Sequence, residues 1–332
     1  MKHSRFLIIG SNSFSGASFI KHLLKDGHEV MGVSRSSEPD EVFLPYKELK
    51  NEIRNFNFHQ IDLNHDLPLL VELLDDYQPQ FVVNFAAQGM VAESWLNPKH
   101  WYQTNMLAQV EMHDHLRKLK CIQKYIHVST PEVYGSTSGW IKENLNFAPS
   151  TPYAVSRAAC DLHLMSFYNA YDFPVIFTRS ANVYGPGQQL YRIIPQTMMC
   201  ARMGQILQLH GGGSSIRSFI HIDDVAVATM KIAFNGDAGS SYHLSTEQTI
   251  SIRELVKKIC DLTNTSFKDL VEETEDRLGK DQSYLLDSSK ARNDLEWRDS
   301  IALEEGLIET LAWVDTNINT LKNFPLKYKH KA

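Results

Sequence analysis

The chain has 332 residues, 43% of them hydrophobic and 22% charged, an ordinary globular composition with capacity for one large core or two smaller ones. A formal net charge of -6 argues against general affinity for nucleic acid or anionic membrane, so an anionic ligand must be held by local cations and helix N-termini. Four widely spaced cysteines (Cys121, Cys160, Cys200, Cys260), with no C-x-x-C pair, predict buried thiols in a reducing compartment, not disulfides or a zinc site. The first apolar run, Phe6 to Ile9, is too short for a signal-peptide core or a membrane span. A soluble, cytoplasmic protein is expected.

In chain order, residues 6–9, 29–33, 81–85, 125–128 and 175–178 are short runs rich in Val, Ile and Phe, as buried strands are. Helical patterns cover 17–25, 67–77, 101–119 and 153–171. Strand and helix in alternation predict an α/β, doubly wound parallel sheet with both faces covered. After Tyr184 the rhythm breaks. Gly185-Pro186-Gly187 reads as a turn and residues 211–215 as a loop. Two further helices are predicted over 251–262 and 303–319, the first capped by Ser251 with Glu254 three residues on.

Gly10-Ser11-Asn12-Ser13-Phe14-Ser15-Gly16 lies between the first strand and first helix. A glycine there permits a sharp turn, a second permits close packing, and the helix N-terminus can hold a pyrophosphate. The pattern is G-x-x-S-x-x-G, with Ser13 in place of a middle glycine. The second strand ends in Val33-Ser34-Arg35-Ser36-Ser37, without the carboxylate that would accept from an NAD ribose. Arg35 can pair with a 2′-phosphate, which favours NADP over NAD; it also reads as a solvated loop residue. Asp62 could accept from the adenine amino group or cap a helix. The small residues of Ala86-Ala87-Gln88, after the strand at 81–85, allow the cofactor backbone to approach.

Ser129-Thr130-Pro131-Glu132-Val133-Tyr134-Gly135 follows the strand at 125–128, and Tyr153 and Arg157 stand at i, i+4 on one helix face. Tyrosine titrates near pH 10, about two to three units above what a base at neutral pH requires. A cation four residues on would lower that value. Arg157 supplies a fixed charge but cannot relay a proton. Thr130 could orient the substrate alcohol, and Glu132 could remove a proton from a carbon next to a ketone.

With these segments the chain resembles the extended short-chain dehydrogenase/reductase family, in particular its NAD(P)-dependent epimerase/dehydratase members and the nucleotide-sugar 4,6-dehydratases. Residues 129–135 resemble the S-T-D-E-V-Y-G segment of that group, Arg179-Ser180-Ala181-Asn182-Val183-Tyr184-Gly185-Pro186 its pyrophosphate segment, and Arg277-Leu278-Gly279-Lys280-Asp281, with Tyr284 and Asp287, its R-P-G-H-D segment. Pro131 falls where dTDP-sugar members carry an acid, and Arg157 where the group has lysine. The resemblance implies a Rossmann domain over 1–183, to which 218–245 returns, and a smaller C-terminal substrate-binding lobe from 184–217 and 246–332. It implies catalytic roles for Thr130, Glu132, Tyr153 and Arg157. The implied cofactor site consists of Gly10, Ser13, Phe14, Gly16, Arg35, Asp62, Leu63, Ala86, Ala87, Gln88, Thr104, Tyr153 and Arg157. Thr130, Asn182, Arg192, Arg217 and Arg277 would hold a nucleotide-diphosphate sugar.

The expected activity is 4,6-dehydration to a 4-keto-6-deoxy sugar nucleotide. The rivals are a 4-epimerase, a C4 oxidase, a uronic acid decarboxylase, or a dinucleotide-binding protein without catalysis. His113 and His115 point to different helix faces, so a metal site is not expected. Trp95, Trp101, Tyr102 and Met106 read as packing residues. The helices at 101–119 and 153–171 would, by the resemblance, pair in a homodimer or higher homo-oligomer.

Overall fold

Phe6, Leu7, Ile8 and Ile9 alternate in direction along the first strand, yet all four are buried, so this strand needs a cover on each side. Phe6 and Ile8 pack with Phe19, Ile20, Leu23 and Ile232 on one face, and Leu7 and Ile9 with Leu70, Leu74, Met112 and Leu164 on the other. The computed structural model describes residues 3–137, 139–275 and 285–331. Its first half runs β1 (Arg5–Ile9), α1 (Phe14–Lys25), β2 (Glu29–Ser34), β3 (Phe56–Gln60), α2 (Leu67–Tyr77), β4 (Phe81–Asn84), α3 (Val91–Leu96), α4 (Pro98–Tyr102), α5 (Ala108–Leu116), β5 (Lys124–Val128), β6 (Trp140–Ile141), α6 (Pro152–Tyr171) and β7 (Val175–Ser180). The second half adds β8 (Asn182–Tyr184), α7 (Ile193–Met203), β9 (Leu207–His210), β10 (Ile216–Arg217), β11 (Phe219–His221), α8 (Ile222–Asn235), β12 (Ser241–Leu244), β13 (Ile250–Ser251), α9 (Ile252–Thr263), α10 (Phe267–Leu270), β14 (Val271–Thr274), β15 (Leu285–Leu286), α11 (Ser289–Asp294) and α12 (Leu303–Leu321).

Seven strands make one parallel sheet in the order β12-β7-β5-β4-β1-β2-β3. The order reverses at β1, which puts the ligand crevice at the carboxyl ends of β1 and β4. Strands β3 and β12 do not announce themselves in the sequence: β3 is half-polar (Asn57, His59, Gln60), and β12 pairs with β7 although its sequence is Ser-Tyr-His-Leu.

The helix expected over 101–119 is not continuous. A π-helical turn, Gln103–Leu107, separates α4 from α5 and rotates Asn105 inward. Buried Asn105 donates from Nδ2 to the Ser156 hydroxyl (3.0 Å) and the Gln88 carbonyl (3.1 Å), and its Oδ1 accepts from the Gln88 N–H (2.8 Å). The turn thus ties the loop after β4 to α6, a placement common for π-bulges at functional sites.

The second lobe is built on α7, α9 and α12, whose Met198, Met199, Leu255, Ile259, Leu307 and Val314 form a separate core. Helix α9 begins with the reciprocal Ser251–Glu254 cap that the sequence predicts. Among the described residues no helix is long and apolar enough to cross a membrane.

Candidate active site

Gly10 has φ +82°, and a Cβ there would sit 2.7 Å from the Ala86 nitrogen; at Gly16 one would lie 2.4 Å from the Gly10 oxygen. Both positions therefore demand glycine. Ser13 serves as the N-cap of α1: its hydroxyl donates to the Gly10 carbonyl (2.7 Å) and accepts from the Gly16 N–H (3.1 Å). Asn12 fastens the loop after β2, accepting nothing from it but donating to Ser34 Oγ (3.0 Å, from N–H) and to the Ser36 and Ser37 carbonyls (2.9 and 3.1 Å, from Nδ2). Ser13, Phe14, Arg35, Ala87 and Gln88 line one end of a cleft of about 790 Å³. Close backbone approach at Gly10 and Ala86, together with a helix N-terminus, fits the pyrophosphate of a dinucleotide.

Asp62 and Leu63 sit in the turn after β3 and do not line that cleft. The Asp62 carboxylate accepts from the Asn64 N–H (2.9 Å), and Asn64 Nδ2 donates to Thr104 Oγ1 (3.1 Å). The Asp62 side chain is thus engaged in its own turn, and the cap of α2 is Asp66 instead.

At the reacting end, Thr130 caps a short 3₁₀ turn, Pro131–Tyr134, by accepting from the Glu132 N–H (3.3 Å). Pro131 suits the first position of such a turn because it has no N–H to satisfy. Thr151 caps α6 by accepting from the Ala154 N–H (3.1 Å), which fixes Tyr153 in its first turn. Thr130, Glu132 and Tyr153 line the same cleft, as do Asn182, Arg192 and Arg217. Glu132 is the one carboxylate among the described lining residues.

Burial pushes the Tyr153 phenol above its ordinary pKa, and Glu132 pushes it further; Arg157, the Thr130 hydroxyl and Arg192 pull it back without offsetting the rise. The expectation that the cation sets a lowered value is therefore corrected for the ligand-free chain. Arg157 itself is almost wholly buried and does not line the cleft. Its Nη2 donates to His127 Nε2 (3.1 Å) and to the Val128 carbonyl, while its Nη1 is buried without a hydrogen-bond partner. The longer, planar guanidinium has turned into the sheet. One turn further along α6, Asp161 accepts from Arg179 Nη2 (2.7 Å) and from the Ser129 hydroxyl (2.7 Å).

Arg192 precedes α7, and Arg217 donates from Nη1 to the Ile216 carbonyl (2.8 Å). Asn182 donates to the Ser218 carbonyl (3.3 Å). Arg277, Gly279, Lys280, Asp281 and Tyr284 lie outside the described residues. His113 meets not His115, which pairs with Asp75 (3.3 Å), but His127 and Cys160. Burial holds both imidazoles well below their ordinary pKa, His163 and Arg157 push in the same direction, and a cation at that cluster would face the Arg157 charge. Trp101 is buried and Met106 packs against the core, as expected, whereas Trp95 and Tyr102 remain 49% and 38% exposed. Sequence reasoning missed Asn105, His127 and Asp161. Asp161 had a signal, its i+4 spacing from Arg157; the other two are indistinguishable from ordinary polar residues.

A Rossmann sheet, a glycine-rich phosphate cradle and a Tyr-x-x-x-Arg pair beside Thr130 define an NAD(P)-dependent enzyme of the extended short-chain dehydrogenase/reductase class. A sequence model of the family described as GDP-mannose 4,6 dehydratase matches residues 7–310, and the chain belongs to that family. It is 28% identical over 325 residues to a probable dTDP-glucose 4,6-dehydratase of Sinorhizobium fredii, covering 93% of this chain and 92% of the relative. It is 32% identical over 267 residues to a trifunctional UDP-glucose 4,6-dehydratase, 3,5-epimerase and reductase of Arabidopsis thaliana; that match takes in 79% of this chain but 40% of the plant protein. The crystal structure of DesIV, a dTDP-glucose 4,6-dehydratase from Streptomyces venezuelae with NAD bound, superposes with a TM-score of 0.89 at 27% identity over 96% of this chain and 99% of that one.

Proposed function

We propose that this chain dehydrates a nucleoside diphosphate sugar to its 4-keto-6-deoxy derivative. The observation that carries this reading is Glu132, a lone carboxylate lining the described cleft beside Thr130 and Tyr153. A nicotinamide dinucleotide bound along Gly10, Ser13, Gly16, Arg35, Ala86, Ala87 and Gln88 supplies the hydride acceptor for C4 and the hydride donor for C6. The Tyr153 phenolate, favoured once the positive charge of an oxidised nicotinamide adds to those of Arg157 and Arg192 against burial and Glu132, takes the proton of the C4 hydroxyl, which Thr130 orients. With C4 a ketone, the C5 proton is acidic, and Glu132 removes it. Glu132 then returns that proton to the hydroxyl departing from C6, which leaves as water, so one carboxylate serves both as base and as acid. As hydride enters C6, C5 takes a proton from solvent and Tyr153 gives up the one it took, so both side chains end as they began. Pro131 can do neither.

Arg157, turned into the sheet and absent from the cleft lining, acts on the site through its positive charge near Tyr153 and not as a direct ligand of the nicotinamide ribose. Arg192, Arg217, Asn182 and the N-terminus of α7 suit the sugar-nucleotide pyrophosphate; Arg277 would join them by the family segment. For the dinucleotide, Arg35 with no carboxylate after β2 supports NADP, while the DesIV structure carries NAD. Exposed Tyr102, Leu107, Val155, Leu162 and Tyr171 on the π-turn, α4 and α6 support a homodimer or higher homo-oligomer through those helices.

Incubation with dTDP-glucose, UDP-glucose or GDP-mannose should yield a 4-keto-6-deoxy product by mass spectrometry from at least one. Absence of that product from all three, with dinucleotide bound, overturns the dehydratase reading.

A further inference from the structure

The segment beyond α12 does not trail away from the molecule. The Leu326 carbonyl accepts from Gln196 Nε2 on α7 (3.0 Å), and the Tyr328 ring meets Tyr191 edge-on at 5.3 Å beside Arg192. The chain then reaches the other lobe. His330 stacks on Trp101 (4.9 Å, 13°) and on His100 (5.1 Å, 14°), and shares a 2.8 Å hydrogen bond between its Nε2 and His100 Nδ1. Finally the Lys331 carbonyl accepts from Gln88 Nε2 (2.8 Å) and Arg35 Nη2 (3.4 Å).

Two facts single this segment out from an ordinary packed terminus. It is anchored on both lobes, with the cleft between them, and Tyr328 lines that cleft. Its last two hydrogen bonds fall on Gln88 and Arg35, side chains from different strand ends that converge on the cofactor half of the cleft. A single peptide oxygen holds both. The aromatic stack on Trp101, itself buried, gives the far anchor a rigid floor.

We propose that residues 326–331 form a strap over the dinucleotide, completing the wall of its site and making exchange of the cofactor wait for the strap to lift. The proposal rests on the dinucleotide reading given above. An oxidation and reduction that restore the cofactor within each turnover have no need of rapid exchange, so a retaining strap is compatible with catalysis.

The test compares the full chain with a variant ending at Phe324 and with His330→Ala. Each is loaded with NADH, and release into excess NAD is followed by stopped-flow fluorescence. Losing the Lys331 bonds and the stack should speed release about tenfold in the truncated variant, and severalfold in His330→Ala. Release within twofold of the full chain in both variants overturns the strap while leaving the cofactor site intact. If the truncated chain does not fold, His330→Ala decides by the same measure. A full chain that binds neither NADH nor NADPH overturns the cofactor reading, and the strap with it.

Discussion

Strands β5 and β7, the turn after β5 and helix α6 carry two sets of polar side chains, one open to the cleft and one sealed from it. Thr130, Glu132 and Tyr153 line the open side, where their charges can meet a substrate. His127, Arg157, Asp161 and Arg179 lie on the sealed side, all of them with almost no exposure. On the open side a group is kept because of what it does to a ligand. On the sealed side each charge must be matched within the protein, since an uncompensated buried ion costs several kcal/mol. Asp161 answers Arg179 directly at 2.7 Å, with the His127 ring 3.4 Å from its other oxygen. Substitutions on the open side should therefore cost rate, and those on the sealed side chiefly stability.

The largest effect should come from the open side. Glu132→Gln removes the one carboxylate lining the described cleft, and product formation should fall by about 10² to 10⁴, the usual worth of general acid–base catalysis. Because Glu132 also raises the Tyr153 pKa, the same variant should move the acidic limb of C4 oxidation to lower pH, read from the pH profile of single-turnover nicotinamide reduction. Unchanged dehydration would show that a group other than Glu132 removes the C5 proton.

On the sealed side, Asp161→Asn should cost about 3–5 kcal/mol of stability in urea unfolding, because Arg179 loses its buried partner. A loss under about 1 kcal/mol would mean that the layer is not charge-matched as described.

A smaller and graded effect is expected from acid. Buried His243 donates from Nδ1 to the Ile141 carbonyl (3.2 Å) and accepts from the Tyr134 hydroxyl (2.9 Å); burial and Arg179 hold its pKa down at about 3. The unfolded chain protonates first, near the ordinary histidine value of 6.5, so the stability present above that pH should drain away as pH falls from there toward 3. His113 and His127 act in the same direction. Urea midpoints measured from neutral pH downward should show the decline, and His243→Asn should make it shallower.

Arg157→Lys should be the mildest change. An ammonium keeps the positive charge near Tyr153 but cannot reproduce the guanidinium contacts with His127 and the Val128 carbonyl, so the rate should drop by no more than about tenfold, with a small loss of stability. A loss beyond a hundredfold would show that the guanidinium shape itself, and not its charge, is required.

Legibility from sequence followed the same division. The open side could be read, because Thr130, Glu132 and Tyr153 sit in two short segments whose strand-end and helix positions are local properties. So could α2, where Leu70, Leu74 and Tyr77 keep helical spacing to the boundary that the structure shows. The direction of Arg157 could not be read, since it depends on His127, which is thirty residues away in the chain. Strand β12 was hidden for a related reason: Ser241 and His243 look like loop residues until Glu143, from another segment, accepts the His243 N–H (2.8 Å). Likewise, a heptad-like pattern cannot announce the extra residue of a π-turn, whose inward Asn105 is satisfied only by Gln88 and Ser156.

The position of β12 has a consequence for how the chain is made. When the ribosome has delivered β7, the outer edge of that strand is bare, and its partner is still a whole lobe segment away in the message. The nascent sheet must wait, edge exposed, until residues 241–244 emerge. A gene fragment stopped after residue 183 should therefore give aggregated protein, its unpaired strand edge open to neighbours.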